Sequence, residues 1–200
     1  MFRWWDDDGA IEGCTAAWQA VQATSFAASL NDLSGNDKLL NPMGWPGWNG
    51  VTGWAFSGSE YLRTGINLKG NFSLLVQFSD AGIGTSLIGV FHWGKYFGIR
   101  PNNYNGVATY SYGFEFQIQP PQHERGNIGL AGNQPYRDGL RDGAPISSEW
   151  TGASECYIGT MNGSTAFFVG NIQAVAIYHR VLSPNEVSTI ASNMEALQNL

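Results

Sequence analysis

The sequence predicts an all-β fold, a sandwich of two antiparallel sheets closed by one short C-terminal helix. Three observations carry this. Apolar/polar alternation of period two recurs roughly every ten residues with turn residues between, the rhythm of short antiparallel strands. The 200 residues include 26 Gly, 8 Trp, 8 Tyr and 11 Phe with only 13% charged, the mixture of a turn-rich fold whose sheet faces are filled by large side chains. No long helical segment interrupts the strand signals before residue 183.

Taken in order, "TAAWQAVQATSFAASL" (15–30) suits either period: its alanines favour helix, while Trp18, Val21 and Phe26 fit both. "NPMGWPGWNGVTGW" (41–54) sets three tryptophans among glycines and prolines, a turning segment in which Trp54, alternating into "GWAFSG" with Phe56, belongs to the core. "FSLLVQFS" (72–79), "SLIGVF" (86–91) and "KYFGIR" (95–100) read as consecutive strands, the last two joined by a turn at "HWG". "YGFEFQIQ" (112–119) alternates Phe114, Phe116 and Ile118 with Glu115, Gln117 and Gln119, which predicts one strand with its aromatic face buried and its amide face wet, ended by Pro120 and Pro121. In "YRDGLRDG" (136–143), Asp138 and Gly139 supply the positive φ angles of a tight hairpin. "CYIGT" (156–160) and "VGNIQAVAIYH" (169–179) are two more strands, the second apolar enough to be central. Ser183, Pro184 and Glu186 form a capping box with proline at the first helical position, and a helix starts there.

The net charge of -6 is scattered without basic clusters, which excludes a nucleic-acid backbone as partner, and no run of 18 apolar residues marks a membrane helix. The start "MFRWWDDDGA" lacks the basic and apolar regions of a secretory signal. Cys14 and Cys156 make no disulfide framework and read as free, buried thiols, with a pairing between them left open. His92, His123 and His179 have no zinc spacing.

The stretch "GNIQAVAIYHRVLSPNE", with Gly170, Ile172, Val175, Ala176, Ile177, Tyr178, Leu182, Ser183 and Glu186, resembles the C-terminal signature of laminin G-like modules of the concanavalin A-like lectin and glucanase superfamily, of the kind found in bacteriophage structural proteins. "DLSGN" (32–36), "GWAFSGSEYLRTG" (53–65) and "YRDGLRDG" follow in that family's order. The resemblance implies a jelly roll from Asp32 onward, favours strand for residues 15–20, and places a concanavalin A-like domain at 13–200 behind an N-terminal arm at 1–12. Glucanase relatives carry paired strand glutamates. Here the partners of Glu115 at the next two same-face positions are Gln117 and Gln119, which cannot ionise, so the chain is expected to be no enzyme. No cofactor is expected. Calcium, used by some relatives, would find Asp80, Asn102 and Asn103 as loop ligands.

Aromatic rings stack on sugar C–H surfaces, which makes Trp93, Tyr96, Asn103 and Tyr104, and in the tryptophan loop Trp45 and Trp48, candidate carbohydrate-binding residues. The bland alternative for all of them is core or core cap. Trp4 and Trp5 precede Asp6, Asp7 and Asp8, a pattern suited to an arm that docks its indoles on a neighbour while the aspartates stay wet. Three functions follow in order: a non-enzymatic surface module of a bacteriophage virion, of head-decoration or tail-fibre type, partnered by virion proteins or copies of itself and by cell-surface glycans; an extracellular carbohydrate-binding module of a larger polysaccharide-acting protein; and a glycan-cleaving enzyme.

Overall fold

A computed structural model of the chain describes residues 3–198. Along the chain run β1 (Cys14–Gln19), α1 (Phe26–Ser29), β2 (Asn41–Met43), β3 (Gly47–Asn49), β4 (Gly53–Ser57), β5 (Tyr61–Leu68), β6 (Ser73–Ser79), β7 (Ile88–His92), β8 (Lys95–Asn103), β9 (Val107–Gly113), β10 (Glu115–Gln119), β11 (Gly126–Ala131), β12 (Gln134–Arg137), β13 (Leu140–Arg141), β14 (Ser154–Ile158), β15 (Val169–Tyr178) and α2 (Pro184–Ala196). An eight-stranded sheet has the order β13-β12-β11-β6-β15-β4-β3, with β1 also paired to β15. A seven-stranded sheet has the order β10-β9-β8-β7-β14-β5-β2. The predicted two-sheet antiparallel sandwich with a C-terminal helix is the observed architecture.

The two readings open for residues 15–30 both hold, in different halves. Trp18 and Ala16 alternate into the core on β1, whereas Ser25 caps a single helical turn, its side chain accepting from Ala28 N at 3.0 Å. β15 is the central strand its composition predicted. One end pairs with β4 (Ile172 opposite Trp54) and the other with β1 (Ala176 opposite Ala17), while β6 runs along its second side. Asp138 and Gly139, at φ 49° and 76°, turn β12 into β13 as expected. Cys14 and Cys156 are free; burial, with Asp32 second, pushes the Cys14 thiol up to about 12.

Ile172, Val175 and Ile177 face the main core between the sheets, with Leu74, Val76, Phe78, Trp18, Trp54 and Phe97. The other side of the eight-stranded sheet is also apolar, through Leu75, Ala174, Ala176 and Tyr178, and carries a second core. α2 covers it with Val187, Ile190 and Met194. Its capping box is complete: Ser183 Oγ accepts from Glu186 N and Glu186 Oε2 accepts from Ser183 N at 2.8 Å.

The second core corrects the expectation for the N-terminus. Trp4 and Trp5 are 0% and 5% exposed, buried between α2 and the strands of their own sheet. Trp4 Nε1 donates to Gln19 Oε1 at 2.9 Å, the Tyr178 hydroxyl donates to Trp5 O, and Asn193 Nδ2 donates to Trp4 O at 3.3 Å. Residues 3–12 are thus packed onto the body instead of forming a separate arm. The cause is the uncovered remainder of the sheet, which a single helix is too narrow to seal and which two adjacent indoles, edge to face at 5.8 Å, complete.

Two outcomes are expected. Trp4→Ala lowers the unfolding free energy by about 3–5 kcal/mol, the cost of emptying a buried indole site, and an unchanged denaturant midpoint would contradict the placement. Two carboxyls are held below their ordinary value of 4.5, to about 2: Glu186 through the hydrogen bonds of Arg180, and Glu60, where burial pushes up but hydrogen bonds from Ser57 and Ser59 outweigh it. A depressed folded pKa stabilises above the unfolded value, so the melting temperature should fall as pH drops from 4.5 toward 2, less steeply in Glu186→Gln. A flat profile across that window would refute it.

Candidate functional site

The strand registers define the outer face of the seven-stranded sheet residue by residue. One row crosses every strand: Phe116 opposite Ser111, then Gly98, Gly89, Tyr157, Arg63 and Asn41. Gly89 and Gly98 form a side-chain-free floor at the centre, and Met161 lies across them: a Cβ at Gly98 would stand 2.7 Å from Met161 Cε, and one at Gly89 2.9 Å from Met161 Cα. The loop carrying Met161 is fixed by Asn162 Oδ1, which accepts from Ser164 Oγ at 2.8 Å and Thr165 Oγ1 at 3.1 Å. It forms a wall that divides the face.

On one side of that wall, Tyr61 packs edge-on to Tyr157 and against Phe167, and Arg63 Nη2 donates to Glu155 Oε2 at 2.6 Å. Burial raises the Glu155 carboxyl, but hydrogen bonds from Arg63 and Gly65 N outweigh it and hold the group ionised below its usual range.

On the other side the rings are open to solvent. Phe114 and Phe116 are 67% and 64% exposed, and Ile118, Tyr96 and Phe91 are exposed as well. Phe91 and Tyr96 lie opposite each other on β7 and β8, rings 5.0 Å apart. Trp93, at φ 48° with Gly94 at 81°, forms the tip of the two-residue turn joining those strands, which leaves its indole 87% exposed. Lys95, beside it, sets its ammonium 4.8 Å above the Phe114 ring and donates to Thr151 Oγ1. Arg100 stands on the same face opposite Thr109, its Nε buried and without a partner among the described residues.

This ridge corrects the reading of residues 112–119, which are two strands rather than one. Gly113, at φ 70°, turns the chain at Gly113–Phe114 so that Glu115 returns opposite Tyr112. Any Cβ at Gly113 would fall 2.3 Å from Ser148 Oγ, so glycine is required there. β10 becomes an edge strand with its polarity reversed: the amides of Gln117 and Gln119 face inward and Phe116 and Ile118 outward. What lies inside β10 is backbone and not core. The Gln117 amide, in its paired orientation, meets Ala144 N and O, and the Gln119 amide abuts Gly143. Amides satisfy those backbone groups and phenyl rings would not.

The predicted carbohydrate residues do not form one cluster. Trp93 and Tyr96 sit at one end of β8 and Asn103 and Tyr104 at the other, about 26 Å away at strand rise. Asn103 Nδ2 donates to Thr109 Oγ1 at 3.1 Å and its Oδ1 accepts from Tyr104 N; the exposed Tyr104 ring covers Gly84. Trp48 caps the core, its Nε1 donating to Ala20 O at 2.8 Å, while the exposed Trp45 leans on Phe26 at 5.6 Å. Of the residues considered for calcium, Asp80 Oδ2 accepts from Asn171 Nδ2 at 2.9 Å, and the buried Asn102 donates to Ala81 O at 3.1 Å, its Oδ1 having no partner among the described residues. Among the described residues no group of three His, Cys, Asp or Glu side chains could hold a metal ion.

No family model and no curated protein matches the chain. Solved structures do. Domain 4 of an extracellular arabinanase from Geobacillus stearothermophilus, in complex with arabinotriose, has a TM-score of 0.61 and 18% identity over 90% of this chain and 100% of that domain. A Trypanosoma rangeli sialidase in complex with 2,3-difluoro-KDN has a TM-score of 0.68 and 13% identity over 92% of this chain and 33% of the sialidase. A structure of botulinum neurotoxin type C, whose cell entry depends on interaction with two ganglioside molecules, has a TM-score of 0.61 and 12% identity over 93% of this chain and 51% of that one. The chain therefore spans a third of the sialidase and about half of the toxin chain. At these identities the likeness establishes a shared β-sandwich fold.

Because Phe116 and Ile118 face solvent, Phe116→Ser and Ile118→Thr should each change the unfolding free energy by no more than about 0.5 kcal/mol. A loss of several kcal/mol in either variant would return these side chains to a core.

Proposed function

We propose that the chain is a non-enzymatic binding module that holds a glycan on the aromatic side of the outer face of the seven-stranded sheet, displayed on a bacteriophage virion among copies of itself or other virion proteins. The observation that carries the binding reading is the set of exposed rings of Phe91, Tyr96 and Phe116 on this face, with Trp93 and Phe114 at the adjoining turns and the buried Arg100 Nε without a partner among the described residues. Rings of this kind offer flat apolar surface to sugar C–H groups, and a guanidinium offers donors to hydroxyl or carboxylate oxygens. Several large rings exposed on one sheet face make a candidate interaction surface. The complex of a whole matched domain with arabinotriose supports a saccharide as its occupant.

The absence of catalysis is inferred from the carboxylates near the face. Glu155 is engaged by Arg63 beyond the Met161 wall, and Glu115 alternates to the side of β10 opposite Phe116, so neither pairs with a second carboxylate across the ridge. Placement on a virion rests on the resemblance of the stretch from Gly170 to Glu186. The match to a complete domain of an extracellular arabinanase favours a second reading, an extracellular carbohydrate-binding module of a larger protein.

A glycan array followed by calorimetry tests the binding. At least one glycan should bind, and Tyr96→Ala and Phe116→Ala should each weaken it about tenfold, the loss of one stacked ring, with the melting temperature nearly unchanged. Silence across the array, or binding indifferent to both substitutions, would refute the proposal. Detection of the chain at fixed copy number in purified phage particles would separate the virion from the extracellular reading.

A further inference from the structure

A second groove lies on the opposite sheet. About 600 Å³ in volume, it runs between α2 and the outer face of the eight-stranded sheet, a size typical of small-molecule sites. Its floor is a row of amides. Asn127 on β11 pairs with Gln77 on β6, and Gln173 stands on β15 at the bulge between Ile172 and Ala174, next to Gln77's partner Ala174. All three are more than nine-tenths buried. On this half of the sheet they occupy the positions that Leu75, Ala174 and Ala176 fill beneath the second core.

Their hydrogen bonding is incomplete. Asn127 Nδ2 reaches Gln77 Oε1 at 3.5 Å and Met194 Sδ at 2.8 Å, and Gln173 Oε1 accepts from Gln198 Nε2 at 2.8 Å. Among the described residues, Gln77 Nε2, Gln173 Nε2 and Asn127 Oδ1 make no hydrogen bond, and each of these side chains lines the groove. None of these three atoms is sealed from solvent, so the floor presents two amide donors and one acceptor to a polar occupant of the groove.

The walls restrict which. Ser192, Glu195 and Gln198 line it from the α2 side, and Asp80, Asp138 and Arg125 stand at the strand ends. Asp138 Oδ1 accepts from Asn127 N at 2.9 Å and lies 3.3 Å from His123 Nε2. Three carboxylates against one guanidinium oppose an anion. Phe78 is fully buried, so no exposed ring is available for stacking, and recognition must come from hydroxyls.

We propose that this groove binds a neutral saccharide of one or two rings, its vicinal hydroxyls paired with the amides of Gln77, Asn127 and Gln173, at a site separate from the aromatic ridge. The test is a titration of the full chain with the methyl glycosides of galactose, mannose, arabinose and N-acetylglucosamine, read by the side-chain amide resonances of those three residues. With at least one sugar they should shift and saturate. Ser192→Trp, which fills the groove from an exposed position on α2, should weaken that binding at least about tenfold, and Glu195→Trp serves as the same block should the first variant unfold. Phe116→Ser should leave it unchanged, so that failure here is distinct from failure at the ridge. The absence of saturable shifts with any of the four, shifts that survive the blocking variants or vanish with Phe116→Ser, or tighter binding of N-acetylneuraminic acid or spermidine than of every neutral sugar, would overturn the proposal.

Discussion

β15 carries apolar side chains on both faces, and a sheet built around such a strand must be covered twice. The seven-stranded sheet covers one face with the main core. The other is covered by α2, anchored by its capping box and by the Arg180–Glu186 pair at 2.5 Å, and by the tryptophans of the N-terminal segment. Burial of apolar area is the dominant stabilising contribution in a domain of this size, so the demand of this one strand recruits both chain ends to the same side. The opposite consequence falls on the seven-stranded sheet, whose outer face is crossed by the Met161 loop and elsewhere exposes its rings.

The two outer faces solve different chemical problems. On the seven-stranded sheet the edge strand β10 is inverted because its inner side meets peptide groups at residues 143–144, and beyond it Arg137 bridges Asp142 at 2.8 Å while the buried Tyr110 hydroxyl donates to Asp142 Oδ2 at 2.7 Å. That polar edge frees the phenyl face for solvent. On the eight-stranded sheet a bulge at Gln173 and the residues flanking it replace an apolar surface with amides, which breaks the second core off and leaves the groove beside it. Apolar ridge and polar groove thus arise from local departures from regular strand pattern.

Much of this was legible in the sequence where a local physical rule decides. The capping box at Ser183 to Glu186, the Asp138–Gly139 hairpin and the apolar run of β15 each contain their own explanation, and each is found where the residues predicted it. Alternation alone failed at residues 112–119, because it reveals that two faces differ but not which one meets the core; Gly113 was the available signal, a turn residue inside an apparent strand. It failed also for Trp4 and Trp5, whose burial depends on a sheet surface that includes residues as distant as Tyr178, which donates to Trp5 O. Trp93 and Tyr96 were recognisable as candidate ligand residues, but their separation from Asn103 and Tyr104 depends on strand length and register. The partners Phe91 and Arg100 became visible only when the strands were laid side by side.

The central claim is that ligand is held on the open side of the seven-stranded sheet. Its most direct test is an isotope-filtered nuclear Overhauser experiment on the chain saturated with an unlabelled oligosaccharide, the protein carrying labelled aromatic rings. The account predicts cross-peaks from sugar protons to Tyr96, Phe114, Phe116 and Trp93, and none to Trp45 or Tyr104. Cross-peaks confined to Trp45 or Tyr104, or no cross-peak to any ring of β8 to β10, would contradict it.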